Sequence, residues 1–372
     1  MTAKKTYQEK IGLIMPGHFI PPTDGGQRVC YDLCLALAKK TQVVCFSAHR
    51  GKLLPNVEFV QLFSRLRFTY TNIRLVWRLA HQLRQHKLQF CIVNQPYFFY
   101  IAFLASRVSG CKLITYAHNL EFRRNDGSRR YLRPLIFLLE LGAFHLSYKV
   151  FFISQQELDD GQRLFRLPEG KCVLVPHIAR KTDIDSQSKE QEIHLFTIIF
   201  FGNFSYPPNL QALNGMLDHF VPILAQLLNF QCRLLIFGKS IPANLSNQQV
   251  GKNLSVELLG YLDNPLDYIV RADVMINPVC QGAGVQTKII EALAAGTTVV
   301  SARSGARGID EKLAPEKLLL VEDDDWIDFA EQICHLRANG STRLATPDAF
   351  FYEYSEYKIL DRIAAALASD IK

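Results

Sequence analysis

The chain has 372 residues, of which 48% are apolar and 21% charged, with a formal net charge of +7. That length suits about two domains, and the composition excludes global disorder, a collagen-like fibre and a disulfide-stapled miniprotein. The charge is divided: residues 1–180 hold 26 basic and 11 acidic side chains, residues 181–372 hold 16 and 24, which predicts two domains with different electrostatic tasks.

Short β-branched or aromatic runs recur along the chain. In the first half they predict strands at 11–15, 43–46, 57–61, 90–93, 112–116, 149–153 and 172–175. In the second half they predict strands at 195–201, 233–237, 256–259, 274–277, 298–301 and 318–321. Helical stretches such as 27–40, 74–87, 209–229 and 285–295 fall between them. Repeated strand–helix–strand order predicts parallel sheets covered on both faces. The polar segment 179–192 (ARKTDIDSQSKEQE) has no apolar period and reads as a linker. The expected architecture is α/β, two doubly wound Rossmann-like domains over residues 1–180 and 181–345. The remainder, 346–372, carries a closing helix near 350–367 that is expected to pack back toward the N-terminal domain.

The nine cysteines are an odd number without a C-x-x-C pair, and most lie in apolar runs. They read as buried free thiols of a reducing compartment. The start, MTAKKTYQEK, has no signal-peptide apolar region. Polar residues interrupt both 90–110 and 133–154, so no spanning helix is expected.

Open α/β sheets bind ligands beyond the carboxyl ends of their strands, and the motifs gather there. After the first strand, Gly25 and Gly26 open a helix, where backbone N–H groups and the helix dipole favour an anion. The spacing is not the G-x-G-x-x-G dinucleotide fingerprint. Arg28 beside them reads either as a phosphate contact or as a solvated charge. In NPVCQGAGVQTKIIEALAAGTTVV, a loop with Gly282 and Gly284 leads through Val285 into a helix ended by Gly296. Bare amides at 284–286 suit a diphosphate. Thr287, Lys288 and Glu291 share one helix face, where Lys288 adds a cation and Glu291 can accept from a ribose diol. Asp323, Asp324 and Asp325 precede a helix and read as capping residues rather than metal ligands, and no His/Cys cluster has zinc spacing.

G-x-G-V-x-x-K-I-x-E-A-L-A-A-G-x-x-V-V resembles the donor-site signature of GT-B glycosyltransferases of the family-four (group 1) type. YAHNLEFRR (116–124) resembles that family's histidine segment, and FFGNFSYPPN (200–209), IFGKS (236–240) and GYLDN (260–264) resemble its donor-domain landmarks. The resemblance implies two domains facing across a cleft, the N-terminal one for acceptor and the C-terminal one for nucleotide sugar. It implies His118 as the group at the transfer centre, orienting sugar or acceptor. It implies donor contacts from Gly25, Gly26, Asn203, Gly238, Lys239, Tyr261, Gly282, Gly284, Val285, Thr287, Lys288 and Glu291. The implied reaction is retaining, free of metal and cofactor, with a nucleoside-diphosphate sugar as donor and a glycan or lipid-linked acceptor. The chain departs from the family at Ala283, where many members carry a first glutamate, and in GNFSYPPN, which lacks the usual Arg/Lys pair. Phosphate charge would then fall to Lys239, Lys288, Arg303 or Arg307.

Arg123, Arg124, Arg129, Arg130 and Arg133, interleaved with aromatics, read as an acceptor or anionic-membrane surface. The amphipathic stretch with Arg74, Arg78, Arg84, Lys87 and Trp77 reads the same way, which places the protein in the cytoplasm or on the inner membrane face. No nucleic-acid motif accompanies these arginines. A sugar-nucleotide epimerase and a non-catalytic sugar-nucleotide-binding protein stand as alternatives.

Overall fold

The alternation of apolar strands with helices folds into two α/β units, each around its own parallel sheet. A computed structural model describes residues 10–15, 17, 19–22, 24–48, 54–63, 72–124, 130–181 and 195–368. The expected linker and Arg129 lie largely or wholly outside these residues.

The first unit contains the chain up to Ile178, together with Ala283–Val285 and the segment from Glu356. In chain order its elements are β1 (Lys10–Met15), α1 (Gly25–Ala38), β2 (Gln42–Ser47), β3 (Val57–Gln61), α2 (Arg74–Gln85) and β4 (Phe90–Asn94). They continue with α3 (Phe99–Ser109), β5 (Lys112–Ala117), α4 (Glu121–Arg124), α5 (Arg133–Leu146), β6 (Lys149–Phe152), α6 (Gln155–Phe165) and β7 (Cys172–Leu174). The sheet order is β3-β2-β1-β4-β5-β6-β7 with parallel pairing throughout. Neighbouring strand residues point to opposite faces, so Leu13 joins a core with Leu33, Leu37 and Ile92, while Ile14 joins another with Leu79, Phe99 and Ala102.

The second unit contains Ala179–Gly282 and Gln286–Ser355. Its elements are β8 (Phe196–Asn203), α7 (Pro207–Gly215), α8 (Val221–Leu227), β9 (Cys232–Lys239), β10 (Gln248–Val250), β11 (Leu254–Gly260), α9 (Leu266–Arg271) and β12 (Val274–Asn277). They close with α10 (Thr287–Ala294), β13 (Thr298–Ala302), β14 (Leu318–Val321), α11 (Trp326–Asn339) and α12 (Asp348–Glu353). The order β10-β11-β9-β8-β12-β13-β14 is parallel except at β10. Helix α13 (Glu356–Ala368) belongs to the first unit, burying Ile359, Leu360 and Ile363 in the core that α1 shares. Both sheets therefore have the doubly wound, Rossmann-like order, with switch points between β1 and β4 and between β8 and β12.

Three local differences from the sequence pattern have physical causes. The expected single helix over 209–229 is broken by a π-turn at Met216–Phe220, where Val221 N–H bonds the Met216 carbonyl. Pro222 follows at the start of α8; it has no N–H to give and would clash in an unbroken α-helical ladder. Strand β10 is the polar tripeptide QQV, whose pairing comes from the edge of β11 and not from an apolar pattern. The tail forms α12 and α13 in place of one helix, and the Tyr354 carbonyl between them accepts Ala179 N–H at 3.0 Å.

In the β8–β9 register Gly202 stands opposite Gly238. Gly238 sits at φ +139°, and a Cβ there would lie 1.9 Å from the Gly202 carbonyl oxygen. Both the torsion and the contact require glycine. Gly238→Ala is expected to cost at least ~2 kcal/mol, read as a lower denaturation midpoint; an unchanged midpoint would show that the strands can part.

Candidate functional site

At the switch point of the second unit, between β8 and β12, the start of α10 lies against the carboxyl end of β8. Helix α10 begins at Thr287, two residues later than the sequence pattern suggests, and its cap residue Gln286 makes no side-chain capping bond. Ile289 N–H bonds the Gln286 carbonyl, which leaves the amides of Thr287 and Lys288 as the bare ones of the helix's first turn.

Lys288 is buried at 8% exposure. Its ammonium can donate three hydrogen bonds, and among the described residues its contacts are long: Asn209 Oδ1 at 3.4 Å and the Phe201 carbonyl at 3.5 Å. The Phe200 ring lies 4.9 Å away. Burial pulls its pKa down from 10.5 to about 7. An anion beside it would restore what burial removes. Asn209 is itself fixed, donating to the Asn203 carbonyl at 3.0 Å, while Asn203 Oδ1 closes a turn on Ser205 N–H and Oγ. Asn209 is the last residue of the FFGNFSYPPN segment, in which the sequence reading named only Asn203.

Lys239 ends β9 with its ammonium 5.3 Å from the exposed Tyr261 ring. Gly282 sits at φ +119°, and a Cβ there would lie 2.9 Å from Tyr206 Oη, so the loop before α10 packs on the tyrosine of the FFGNFSYPPN segment. Asn277, at the end of β12, is fully buried; its amide donates to Ser301 Oγ at 3.0 Å, and Oδ1 has no hydrogen-bond partner among the described residues. Arg303 pairs with Glu322 at 2.7 Å, so its charge is already met. Asp325 caps α11 through Asp328 N–H, and Asp323 accepts Ser304 N–H. Among the described residues no group of three His, Cys, Asp or Glu side chains is placed to hold a metal ion.

In the first unit His118 follows β5 and is 7% exposed. Burial lowers its pKa to about 4, so the ring is neutral near pH 7. A chain of side chains sets its tautomer. Asn94 Nδ2 donates to the Ile14 carbonyl at 3.3 Å, which leaves Oδ1 to accept the Cys30 thiol at 3.2 Å. With its hydrogen committed, Cys30 Sγ is the acceptor for His118 Nε2 at 3.7 Å. This chain favours the Nε2–H tautomer, in which Nδ1 offers a lone pair. Nδ1 has no partner among the described residues and faces the start of α1, where a Cβ on Gly26 would lie 3.8 Å away. Such a nitrogen accepts a hydroxyl hydrogen and orients its owner. At that same helix start the Asp24 side chain accepts Gln27 N–H at 2.9 Å, placing a carboxylate where an anion was expected. Arg28 pairs with buried Asp32 at 2.9 Å, and His177 lies 3.9 Å from the same oxygen.

Carboxylates from two helices hold the segment after His118. Glu157 of α6 accepts Leu120 N–H at 3.0 Å, and Glu140 of α5 accepts Glu121 N–H at 2.7 Å and Phe122 N–H at 3.0 Å. Burial raises the Glu140 pKa to about 8, against the lowering by those two N–H groups. The adjacent arginines are partly committed: Arg123 to Asp160 at 2.5 Å, Arg124 to Glu121 at 3.6 Å, and Arg133 Nε to the Phe122 carbonyl at 3.2 Å. Arg130 is exposed. A cavity of about 490 Å³ opens at the amino ends of β4 and β5, lined among others by Arg84, Lys87 and Lys112. It lies at the opposite strand ends from His118, away from the edge at which open α/β sheets bind ligands.

The model of "Glycosyltransferase Family 4" matches residues 23–178, and that of "Glycosyl transferases group 1" matches residues 196–339. Together they span most of the chain, which belongs to the group 1 glycosyltransferases and has their GT-B fold. Over 201 residues the chain is 27% identical to an uncharacterized 44.6 kDa protein in the cps region of Klebsiella pneumoniae. That match covers 52% of this chain and 48% of the relative, so the chain spans about half the length of the curated relative it matches. Among solved structures, the Anabaena protein HepE in complex with UDP is similar at TM-score 0.70 and 13% identity, over 97% of this chain and all of that one. Sucrose-phosphate synthase from Thermosynechococcus elongatus is similar at TM-score 0.73 and 17% identity, over 97% and 98%. WaaG, a glycosyltransferase involved in lipopolysaccharide biosynthesis, is similar at TM-score 0.63 and 11% identity, over 96% and 100%.

Two outcomes are expected. The unfolded chain keeps the Lys288 proton up to about pH 10.4, whereas the folded chain releases it near 7. The unfolded state binds more protons in that window, so Lys288 makes stability rise with pH between about 7 and 10. Lys288→Met should flatten that rise in a denaturation series; an unchanged slope would contradict the buried ammonium. For His118, ¹⁵N NMR of the imidazole should show the Nε2–H form, with Cys30→Ala giving a tautomer mixture; an Nδ1–H ring in the wild type would break the assignment.

Proposed function

We propose that the protein transfers a sugar from a nucleoside-diphosphate donor, held by the second unit, to a glycan or lipid-linked acceptor bound by the first. Lys288 carries this reading: a buried, under-coordinated ammonium beside two free amides is a site for a diphosphate. Glu291, on α10, accepts from the ribose diol. Gly238, Gly282 and Gly284 let backbone approach the donor, and Val285, Thr287, Asn203, Lys239 and Tyr261 complete its surroundings. A uridine nucleotide fits the similarity to HepE, solved with UDP and with UDP-glucose. An acceptor in surface-glycan assembly fits the similarities to a cps-region protein and to WaaG.

Transfer proceeds with retention and without a metal. Lys288 and the α10 amides stabilise charge gathering on the departing diphosphate. The acceptor hydroxyl attacks on the face the nucleotide leaves, and its proton passes to the leaving phosphate. His118, neutral and with Nδ1 as acceptor, orients a sugar or acceptor hydroxyl. Ala283 supplies no carboxylate, so backbone takes the sugar contact that a glutamate makes elsewhere in the family.

Glu291→Ala should weaken nucleoside-diphosphate binding by roughly 1–3 kcal/mol in calorimetry; unchanged affinity would remove the ribose assignment. Transfer should persist in EDTA and give product with the donor's anomeric configuration by NMR. An inverted product, or donor conversion with no acceptor present, would overturn the reaction class.

A further inference from the structure

The helices on one face of the first sheet form a continuous layer, in which α3 packs against both α2 and α5. Tyr100 Oη of α3 bonds the Leu139 carbonyl of α5, and Arg84 of α2 bonds the Val108 carbonyl of α3. Inward, this layer supplies Leu75, Leu79, Phe99, Ala102 and Ala143 to the core. Outward, it exposes large apolar side chains on all three helices: Trp77 at 66%, Leu104 at 46% and Leu138 at 60%, with Ile73, Leu135 and Tyr131 beside them. Soluble surfaces carry scattered exposed apolar residues, but here they line one layer.

The charges of the layer have one sign. Residues 59–120 contain eight Lys or Arg and no Asp or Glu. Arg74, Arg78, Arg84, Arg107 and Arg130 are exposed. The one acidic side chain of α2, α3 and α5 is Glu140, which is fully buried and turned to the backbone of α4.

We infer that the outer face of α2, α3 and α5 docks on an anionic lipid surface. A face combining Trp and Leu with arginines alone matches the boundary between headgroups and acyl chains. The apolar side chains enter that boundary, and the guanidinium groups remain at the phosphates. No helix among the described residues is long and apolar enough to cross a membrane, and α2 has the composition of one lying in the interface plane. The face widens the α2 stretch already read from the sequence across α3 and α5, while three of the 123–133 arginines are tied to neighbouring groups. It deepens the reading of a lipid-linked acceptor, yet its test requires no transfer.

The test is flotation with phosphatidylglycerol vesicles and with phosphatidylcholine vesicles. Wild type should float with the first and not the second, and be released by high salt. Trp77 emission should shift to the blue on binding, and Trp77→Phe should lose the shift. Arg74→Gln/Arg78→Gln should lower partition on the order of tenfold or more, and Leu135→Ser/Leu138→Ser should also weaken it. These positions are exposed, so nucleotide affinity should not change. Wild type that ignores phosphatidylglycerol, or variants that bind as wild type does, would overturn the inference. So would a dimer that the same substitutions dissolve, since the face would then belong to a second copy. Loss of nucleotide binding with intact flotation would instead fault the donor assignment alone.

Discussion

Burying an ammonium without a full set of acceptors is the constraint on which the second unit's chemistry rests. Lys288 follows the first residue of α10, so its position is fixed by the β12–α10 turn, and that turn is possible because Gly282 takes a torsion closed to side-chain-bearing residues. The walls are the backbone of β8, the Phe200 ring and Asn209. Burial among these walls strips the ammonium of its solvation, and the pKa falls to about 7. A group held in that state binds an anion strongly because the anion supplies the missing interaction in a poorly solvated place.

The first unit solves a different problem. His118 must present an acceptor and not a charge. Burial keeps it neutral, and Ile14, Asn94 and Cys30 commit the Nε2 side. The backbone beyond it is held by the carboxylates of Glu140 and Glu157, which occupy N–H groups that a short helix cannot satisfy itself. Mutating these glutamates would disturb His118 through backbone position, without any contact to a substrate.

Much of the fold was legible because parallel strands buried on both faces read as apolar runs, as in VVCF and LFTIIFF. The polar strand QQV has no such run, and the break at Met216–Phe220 follows from one proline inside an otherwise helical pattern. Of the candidate site, the Gly-x-Gly helix start was legible from torsional need. The contacts of Asn209 with Lys288, of Tyr206 with Gly282 and of Cys30 with Asn94 were not, because they join distant positions that carry no local period. Arg28 and Arg303 looked available in sequence, and their carboxylate partners, four and 19 residues away, are visible only in three dimensions. The basic first half divides likewise into arginines that brace α4 and α6 and arginines left on the α2–α3–α5 face.

The central claim is that the Lys288 ammonium waits for a diphosphate. Its most direct measure is the Lys288 pKa, followed by ¹³C NMR after isotopic labelling of the lysine side chains, with and without saturating UDP. The account predicts a value near 7 in the free protein that rises by at least about one unit when UDP binds. A free value near 10, or a low value that UDP leaves unchanged, would contradict it.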